Sequence, residues 1–343
     1  MNTLFVGIDI SKDTLDIIGL DQHEQVVYPA QIADNSESGI AHILQQLVEF
    51  SNHSVWVCME HTGVYGQLLL KRLSSAGVRC CRLNPLHLTY SLGLVRGKTD
   101  AIDARRIAQY ALIHHKSLVA YVSPGRILEQ LKVLMSTRLR LVKMLTSLKN
   151  GLKATQIAAK TLNLEASIEL QEQAIVQLQQ HIKEHERQMR ALIDASESLQ
   201  LVYHRLQSII GVGPITAMMC VIETHNFTRF SNPRKFNCHC GLAPFAYQSG
   251  SSVRKATKTS PYRDPTLKAV LMQAAATAIQ YDPQLKAYYH RKVQQGKAKL
   301  SVLNAVANKL VLRIFAVAKR DEPFVKLYLD FILECSGLLS WSS

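Results

Sequence analysis

The sequence predicts an α/β N-terminal domain, a helical coiled-coil middle and a mostly α C-terminal domain. Short β-rich runs alternate with helical patterns in the first third, heptad spacings fill the middle third, and glycine-punctuated helical patterns fill a basic last third. A chain of 343 residues is longer than one average domain, so several compact units are expected. We place the boundaries at residues 1–124, 125–200 and 201–330, followed by a tail at 331–343.

The first third alternates strands and helices. Three β-rich runs separated by polar turns predict an antiparallel meander: Thr3–Ile10, Thr14–Leu20 and Gln25–Ile32. A helix beginning near Ser36 precedes an apolar run typical of a strand buried on both faces, Ser54–Met59. A helix at 66–76, a strand at Val78–Leu83 and a helix beginning near Asp100 complete the unit. The order βββ-α-β-α-β-α is that of an RNase H-like fold, with helices on both sides of a mixed sheet.

The middle third carries two apolar runs with heptad spacing. The first, within Ile127–Leu152, has leucines that step by 7, 4, 3 and 4 residues, and the second, Ile168–Leu192, steps by 7, 3, 4, 7 and 3. A break near Thr161–Asn163 separates the runs, so an antiparallel helical hairpin is predicted. The spacing does not distinguish two ordinary helices of a bundle from a coiled coil that packs on a second subunit.

The last third opens with two glycines between helical patterns, Gly211 and Gly213. They permit a tight hairpin whose backbone N–H groups can approach a phosphate, similar to the hairpin of helix-hairpin-helix DNA-binding elements. An ordinary turn is the alternative. Helices are predicted at Pro265–Tyr281 and Ser301–Lys319, after a Gly/Ser-rich basic segment at 241–258.

The positive charge is concentrated in the last third. The net charge of +14 divides into −1 for residues 1–124, +3 for 125–200 and +12 for 201–343. A polyphosphate partner would be held there by Coulomb attraction and counterion release, so double-stranded DNA is an expected partner. A merely solubilising basic surface is the alternative.

The composition indicates a cytoplasmic protein with no membrane partner. No stretch approaches the ~18 uninterrupted apolar residues of a membrane span, and the N-terminus lacks the pattern of a secretory signal. Seven cysteines, an odd number without regular spacing, do not form an extracellular disulfide framework. The nearest approach to a metal cluster is Cys238-His239-Cys240 with His225, which lacks paired C-x-x-C spacing, so we expect packing roles for these residues.

Four acidic residues are candidate metal ligands. Asp9 and Glu60 each end a predicted core strand, while Asp100 and Asp103 open a predicted helix and project from one face of it. Four gathered carboxylates repel one another unless a hard cation lies between them, and oxygen ligands favour Mg²⁺ or Mn²⁺. Two such ions ~3.5–4 Å apart activate the nucleophile and stabilise the leaving oxygen in phosphoryl transfer. Each acid alone is more often a helix cap or a surface charge, and the combination of the four is what points to a metal site.

Several segments carry a resemblance to a known family. The N-terminal ones are Gly7-Ile8-Asp9, Met59-Glu60-His61-Thr62-Gly63-Val64-Tyr65, Asn84-Pro85 and Arg96-Gly97-Lys98-Thr99-Asp100-Ala101-Ile102-Asp103-Ala104. The C-terminal ones are Gly241-Leu242-Ala243-Pro244 and Tyr247-Gln248-Ser249-Gly250-Ser251-Ser252-Val253-Arg254. Over residues ~3–320 they resemble the RuvC-like DEDD domain and the serine transposase domain of the insertion sequence one-ten group of transposases. That group includes Piv-type DNA invertases and bridge-RNA-guided recombinases.

The resemblance implies a DNA recombinase that uses both signatures. It makes the four acids the ligands of a divalent metal and Ser249 the nucleophile that forms a phosphoserine link to DNA. The residues alone do not distinguish Ser249 from Ser251 and Ser252 in the same segment. The resemblance also implies a structured noncoding guide RNA, and strand exchange implies a homo-oligomer, a dimer or a tetramer.

One departure from the family pattern and one group of basic residues complete the site. The family has a Lys-x-Gly step after the serine segment, whereas Lys258-Thr259-Ser260-Pro261 has no glycine, so the path of this loop is expected to differ. Cations near the serine and beside the acids are candidate phosphate contacts that would not read bases: Arg254, Lys255, Lys258, Arg263, Lys268, Arg96 and Lys98.

The sequence thus predicts a transposase or site-specific recombinase that cleaves and rejoins DNA. Three rivals remain: a DNA invertase of the same chemistry, a metal-dependent junction nuclease, and a catalytically idle nucleic-acid-binding module. Ser249 argues against the nuclease, and the complete set of four acids argues against the idle module.

Overall fold

The computed structural model describes residues 2–61, 63–91, 99–249, 253–260 and 262–325, with the backbone alone for 246–249 and 253–258. The chain divides into two compact units, one ending at Ser123 and the other beginning at Pro124. The first unit is built on a sheet and the second is mostly helical.

A five-stranded mixed sheet forms the centre of the first unit. Its strands are β1 (Thr3–Ile10), β2 (Thr14–Leu20), β3 (Val26–Asp34), β4 (Ser54–Glu60) and β5 (Arg79–Leu83). The strand order is β3-β2-β1-β4-β5; β1, β2 and β3 pair antiparallel, and β4 pairs parallel with both β1 and β5. This sheet agrees with the predicted RNase H-like architecture, and each predicted strand lies within two residues of its observed bounds.

Helices cover both faces of that sheet. They are α1 (Glu37–Val48), α2 (Gln67–Ser75), α3 (Pro85–Ser91) and α4 (Asp100–Ile113), followed by a short 3-10 turn at His115–Ser117. Because side chains alternate along a strand, β1 sends Leu4, Val6 and Ile8 into the core shared with α1 and α2. Gly7 points to the other face, where a Cβ would lie 2.1 Å from the Ala104 carbonyl oxygen, so the backbone of α4 packs directly on β1.

Two long antiparallel helices begin the second unit. They are α5 (Arg126–Ala158) and α6 (Glu165–Asp194), separated at the break expected from the sequence. Arg138 early in α5 donates to Glu186 late in α6 at 2.7 Å, and Gln171 early in α6 donates to Thr155 late in α5 at 3.0 Å. These contacts show the antiparallel direction of the predicted hairpin.

The base of the hairpin shares one core with the C-terminal helices. Those helices are α7 (Glu197–Gln207), α8 (Pro214–Glu223), α9 (Pro233–His239), α10 (Pro265–Tyr281), α11 (Pro283–Gln294) and α12 (Lys299–Ala318). Leu131 of α5 and Met189 of α6 are fully buried with Phe236 and Phe315 in that core. At the far end of the hairpin, Ile157 and Leu170 lie outside the heptad positions, and each is 67% exposed among the described residues.

The Gly/Ser-rich basic segment folds as a β-hairpin rather than as a loop. Its strands are β6 (Pro244–Ser249) and β7 (Val253–Thr259), which pair antiparallel. The alternating sequence of this segment was obscured by its glycines and serines, which favour turns. The helix α11 was also not foreseen, because Leu285 is its one buried residue, and Tyr288, Tyr289 and Val293, which follow it at helical spacing, are only partly buried.

Among the residues that the structure describes, one helix, α12, is long and apolar enough to cross a membrane by length and composition alone. In the second unit its apolar residues Val306, Leu310 and Ile314 are completely buried in the core. Its composition is therefore accounted for by packing. The six cysteines among the described residues are free thiols, and five of them are buried, consistent with packing roles.

Candidate active site

The sheet brings Asp9 and Glu60 to neighbouring positions on one face. Ile8 of β1 pairs with Met59 of β4 in parallel register, so the next residue of each strand is one of the two acids. Asp9 follows Gly7 by two residues and therefore faces α4 as Gly7 does. Glu60 follows Cys58, which pairs with Gly7, and faces the same side.

The first turn of α4 supplies the other two acids. Thr99 caps the helix by accepting a hydrogen bond from the Ile102 backbone N–H at 3.3 Å, which fixes Asp100 and Asp103 in the first turn. Ala104 and Ala108 of α4 pack on Gly7, and the ring of His115, just beyond the end of α4, lies 6.1 Å from the ring of Phe5 earlier in β1. The helix therefore runs back along β1, and its first turn lies at the Asp9 end. The helix dipole, positive at this end, favours carboxylates there.

The negative charges of the other three acids act on Asp9. Burial raises the pKa of Asp9, and the negative charges of Asp100, Asp103 and, to a smaller extent, Glu60 raise it further, to about 6. The Arg106 guanidinium also forms an ion pair with the Asp103 carboxylate, with 3.1 Å between Nη1 and Oδ1. A carboxyl group so perturbed by like charges is stabilised in its charged form by a cation, and an all-oxygen donor set fits a hard divalent ion.

A fifth acid, Asp16, lies beside this group and was not foreseen. It pairs directly with Asp9 across the β1–β2 ladder, and only 7% of its surface is exposed. Burial and the charge of Asp100 raise its pKa. The signal was present in the sequence: a tight hairpin that pairs Ile10 with Leu15 necessarily pairs Asp9 with Asp16.

The second unit contains a cluster of charged residues around Glu223. Among the described residues, one group of three potential metal ligands brings its ligand atoms within 4.8 Å of one another: Glu223, His239 and Asp264. No three of the acids around Asp9 therefore have carboxylate oxygens that all lie within 4.8 Å of one another. Lys132 and Arg229 lie 3.6 and 3.7 Å from the Glu223 carboxylate, so its charge is already balanced by cations and the cluster is better explained as an ion-pair network.

This network should stabilise the second unit. Burial by itself would raise the pKa of Glu223, but His239, whose Nε2 lies 3.9 Å from the carboxylate, and the charges of Lys132 and Arg229 outweigh it and bring the pKa to about 2. A lowered acid pKa contributes stability above the ordinary value of 4.5, and that stability is lost as the pH falls from 4.5 towards 2. We expect Glu223→Gln to destabilise the unit at pH 7 by roughly 3 kcal/mol, and the loss to shrink at pH 3.

Thermal unfolding at the two pH values measures this effect. The matched control is Glu184→Gln, which removes an exposed partner of Arg187 and should change little, because exposed pairs are screened by solvent. Equal destabilisation by the two substitutions would contradict the account of Glu223.

Ser249 ends strand β6 and lies opposite Val253 in the backbone ladder. The hairpin that carries it is fastened at its base. Lys268 of α10 donates to the Gly241 carbonyl oxygen at 2.8 Å and to the Thr259 hydroxyl at 3.2 Å, joining the entry of β6 to the end of β7. Arg263 packs beneath Gly241. Both cations, expected from the sequence to contact phosphate, thus have contacts within the protein.

The α7–α8 turn has the two glycines in different environments. Gly211 has a φ of +94°, and a Cβ there would lie 2.6 Å from the Ala274 carbonyl oxygen and 2.8 Å from the Ala278 Cβ. Gly213 has a φ of −81° and open space around it. Gly211 is therefore required for packing against α10, whereas Gly213 is exposed, as contact with an external phosphate would require.

Substituting the two glycines separately tests the predicted nucleic-acid contact. Gly211→Ala should lower thermal stability strongly, because strain of about 1–3 kcal/mol adds to a steric clash. Gly213→Ala should keep the thermal stability and weaken DNA binding, since the added methyl group blocks close approach of a phosphate. Unchanged DNA affinity in a folded Gly213→Ala protein would restrict this turn to a structural role.

The remaining basic candidates are not placed at the level of side chains. Arg96 and Lys98 lie outside the described residues, as do Ser251 and Ser252. Arg254, Lys255 and Lys258 belong to β7, of which the backbone alone is described.

Comparison with known proteins places the chain among the transposases, a class of DNA-recombining enzymes. Residues 6–157 match a family model described as "Transposase", and residues 203–290 match one described as "Transposase IS116/IS110/IS902 family". The chain belongs to this IS116/IS110/IS902 family, which confirms the resemblance seen in the sequence.

Relatives match over nearly the whole chain. A pilin gene-inverting protein of Moraxella lacunata is 25% identical over 332 residues, covering 95% of this chain and 99% of the relative. The transposase for insertion sequence element IS1111A of Coxiella burnetii is 20% identical over 355 residues, covering 93% and 90%. Among solved structures, T. thermophilus RuvC in complex with Holliday junction substrate has a TM-score of 0.27 and 14% identity, covering 35% of this chain and 99% of that one.

Proposed function

We propose that this transposase cleaves and rejoins DNA through a phosphoserine intermediate at Ser249, assisted by a Mg²⁺ or Mn²⁺ site at Asp9, Glu60, Asp100 and Asp103. The observation that supports it most directly is the grouping of the four acids, in which three of them raise the pKa of the fourth. A divalent ion, when bound, neutralises charge that develops on the phosphoryl oxygens. Ser249 at the end of a fastened hairpin supplies the nucleophile.

The chemistry at the serine is a reversible exchange of one phosphoester for another. The Ser249 hydroxyl oxygen attacks phosphorus, loses its proton, and forms a P–O bond as the bond to the departing deoxyribose oxygen breaks. That oxygen takes up a proton. A deoxyribose hydroxyl of the second strand then attacks the phosphoserine and releases the serine, so no phosphodiester bond is lost and no ATP is needed.

Three parts of the chain are proposed to act on nucleic acid. Residues 1–124 form the catalytic domain, 125–200 the helical hairpin and 201–330 the basic serine domain. A tail follows at 331–343. The partners are double-stranded DNA and a structured noncoding guide RNA, and the protein acts as a homo-oligomer, a dimer or a tetramer. The exposed apolar side chains of Ile157 and Leu170 at the far end of α5 and α6 support self-association. The charge of +12 in residues 201–343 supports nucleic-acid binding.

The test is a strand-exchange assay on plasmids that carry paired recombination sites, with the guide RNA present. With Mg²⁺ we expect rejoined recombinant DNA, and with a chelator we expect none. Open, unjoined ends would instead favour the junction nuclease.

A DNA invertase of the same chemistry is the second candidate. It is supported by the 25% identity to a pilin gene-inverting protein over 99% of that relative. Sites in inverted orientation on one plasmid distinguish the two: inversion of the intervening DNA without loss of the element favours the invertase.

A further inference from the structure

The segment from Pro283 to Lys319, which contains α11 and α12, is strongly basic. It holds eight Lys and Arg residues and neither Asp nor Glu. Within it, seven cations have no acidic partner in the part of the chain that the structure describes, and six of the seven are exposed, Lys292 being half-buried: Lys286, Arg291, Lys292, Lys297, Lys299, Lys309 and Lys319. Arg313 differs, because it forms a 2.6 Å ion pair with buried Asp282.

The packing of α11 on α12 gathers part of this charge at one point. Arg313 late in α12 bonds to Gln284 at the start of α11, so the two helices are antiparallel. Further along, the Lys309 Nζ lies 4.6 Å from the centre of the Tyr288 ring, and the Arg291 guanidinium lies 5.7 Å from it. Two cations from different helices thus meet at one ring. Their mutual repulsion favours an anion as the external partner.

We propose that this surface, which we define by Arg291, Lys309, Lys297 and Lys299 and name the α11–α12 basic face, binds the phosphate backbone of duplex DNA. The cations are point charges suited to phosphate and carry no base-reading pattern. Tyr288 already contacts two cations, so it does not offer a free ring on which an unpaired base can stack, as single-stranded binding requires. The α11–α12 basic face therefore binds DNA through charge. Its residues are distant in sequence from the serine hairpin. This rests on the proposed function only in taking DNA as the substrate.

Equilibrium binding to a short DNA duplex over a range of salt concentrations tests the proposal. We expect the full-length double variant Arg291→Gln/Lys309→Gln to flatten the log–log salt slope by about 1.8, since each lost phosphate contact removes about 0.9. The loss should be the same for any duplex sequence. The control Lys71→Gln/Lys116→Gln makes the same charge change at exposed sites of the first unit and should leave the slope unchanged.

The outcomes separate this proposal from the proposed function, because binding is measured without metal and needs no chemistry. A wild-type slope in the folded double variant would overturn the α11–α12 basic face even if Ser249 forms its DNA link. A flattened slope on structured RNA but not on duplex DNA would overturn the assignment to DNA. A flattened duplex slope in a protein that never links to DNA would leave the face standing while the proposed function fails.

Discussion

Ser249→Ala should eliminate the covalent link between protein and DNA and reduce recombination to background. The serine oxygen is the atom that bonds to phosphorus in the proposed reaction, and alanine offers no hydroxyl in its place. The substitution lies at the end of β6, whose base is fastened by Lys268 at Gly241 and Thr259, so the fold should persist. Denaturing electrophoresis of the protein with labelled DNA, guide RNA and Mg²⁺ measures the link directly.

Neighbouring serines provide the matched controls. Ser251→Ala and Ser252→Ala should both retain the link, because neither serine stands at the position that matches the family pattern. Ser249→Cys should retain a small fraction of activity, since a thiolate is nucleophilic but prefers softer metals than Mg²⁺. Mass spectrometry of the attached peptide identifies the nucleophile, and attachment at another residue would overturn the assignment while leaving the reaction class intact.

The fold was most predictable where burial imposes a period on the sequence. In the strands β1, β2 and β4 and the helix α10, the apolar residues mark the buried positions clearly. The bounds of these four elements were therefore predicted within one residue. The short helices α3 and α9 were not predicted, because each contains seven residues, too few to show a helical period. The β6–β7 hairpin was missed because its turn-forming residues resemble those of a loop.

The candidate site was predictable to the extent that it depends on local position. Asp100 and Asp103 belong to one helical turn, and Asp9 ends a strand, so their placement follows from secondary structure. The placement of Asp16 follows from the register of the β1–β2 hairpin, whereas the ion pairs of Glu223 with Lys132 and Arg229 join residues of different elements. Such contacts are set by tertiary packing, which the residue types alone do not reveal.

The acids themselves should behave differently with and without metal. Asp9→Asn should abolish recombination, because it removes a ligand and a charge from the proposed metal site. Without metal, the same variant should be more stable than the wild type at pH 7. The pKa of Asp9 is raised from 3.8 to about 6 in the folded protein, so the ionised carboxylate opposes folding above pH 6. This destabilisation disappears as the pH falls from about 6 towards 3.8.

Thermal unfolding with and without Mg²⁺ at pH 7.5 and pH 5 therefore distinguishes a metal ligand from an acid with a purely structural role. At 100 times its dissociation constant, an ion that binds the folded form alone stabilises it by about 2.7 kcal/mol. We expect the wild type to show such an increase at pH 7.5 and less at pH 5, where a proton on Asp9 competes with the ion. Asp9→Asn should show neither the increase nor its pH dependence, while Asp13→Asn, at an exposed position in the β1–β2 turn, should respond as the wild type does. A full Mg²⁺ response in Asp9→Asn would show that the ion binds elsewhere.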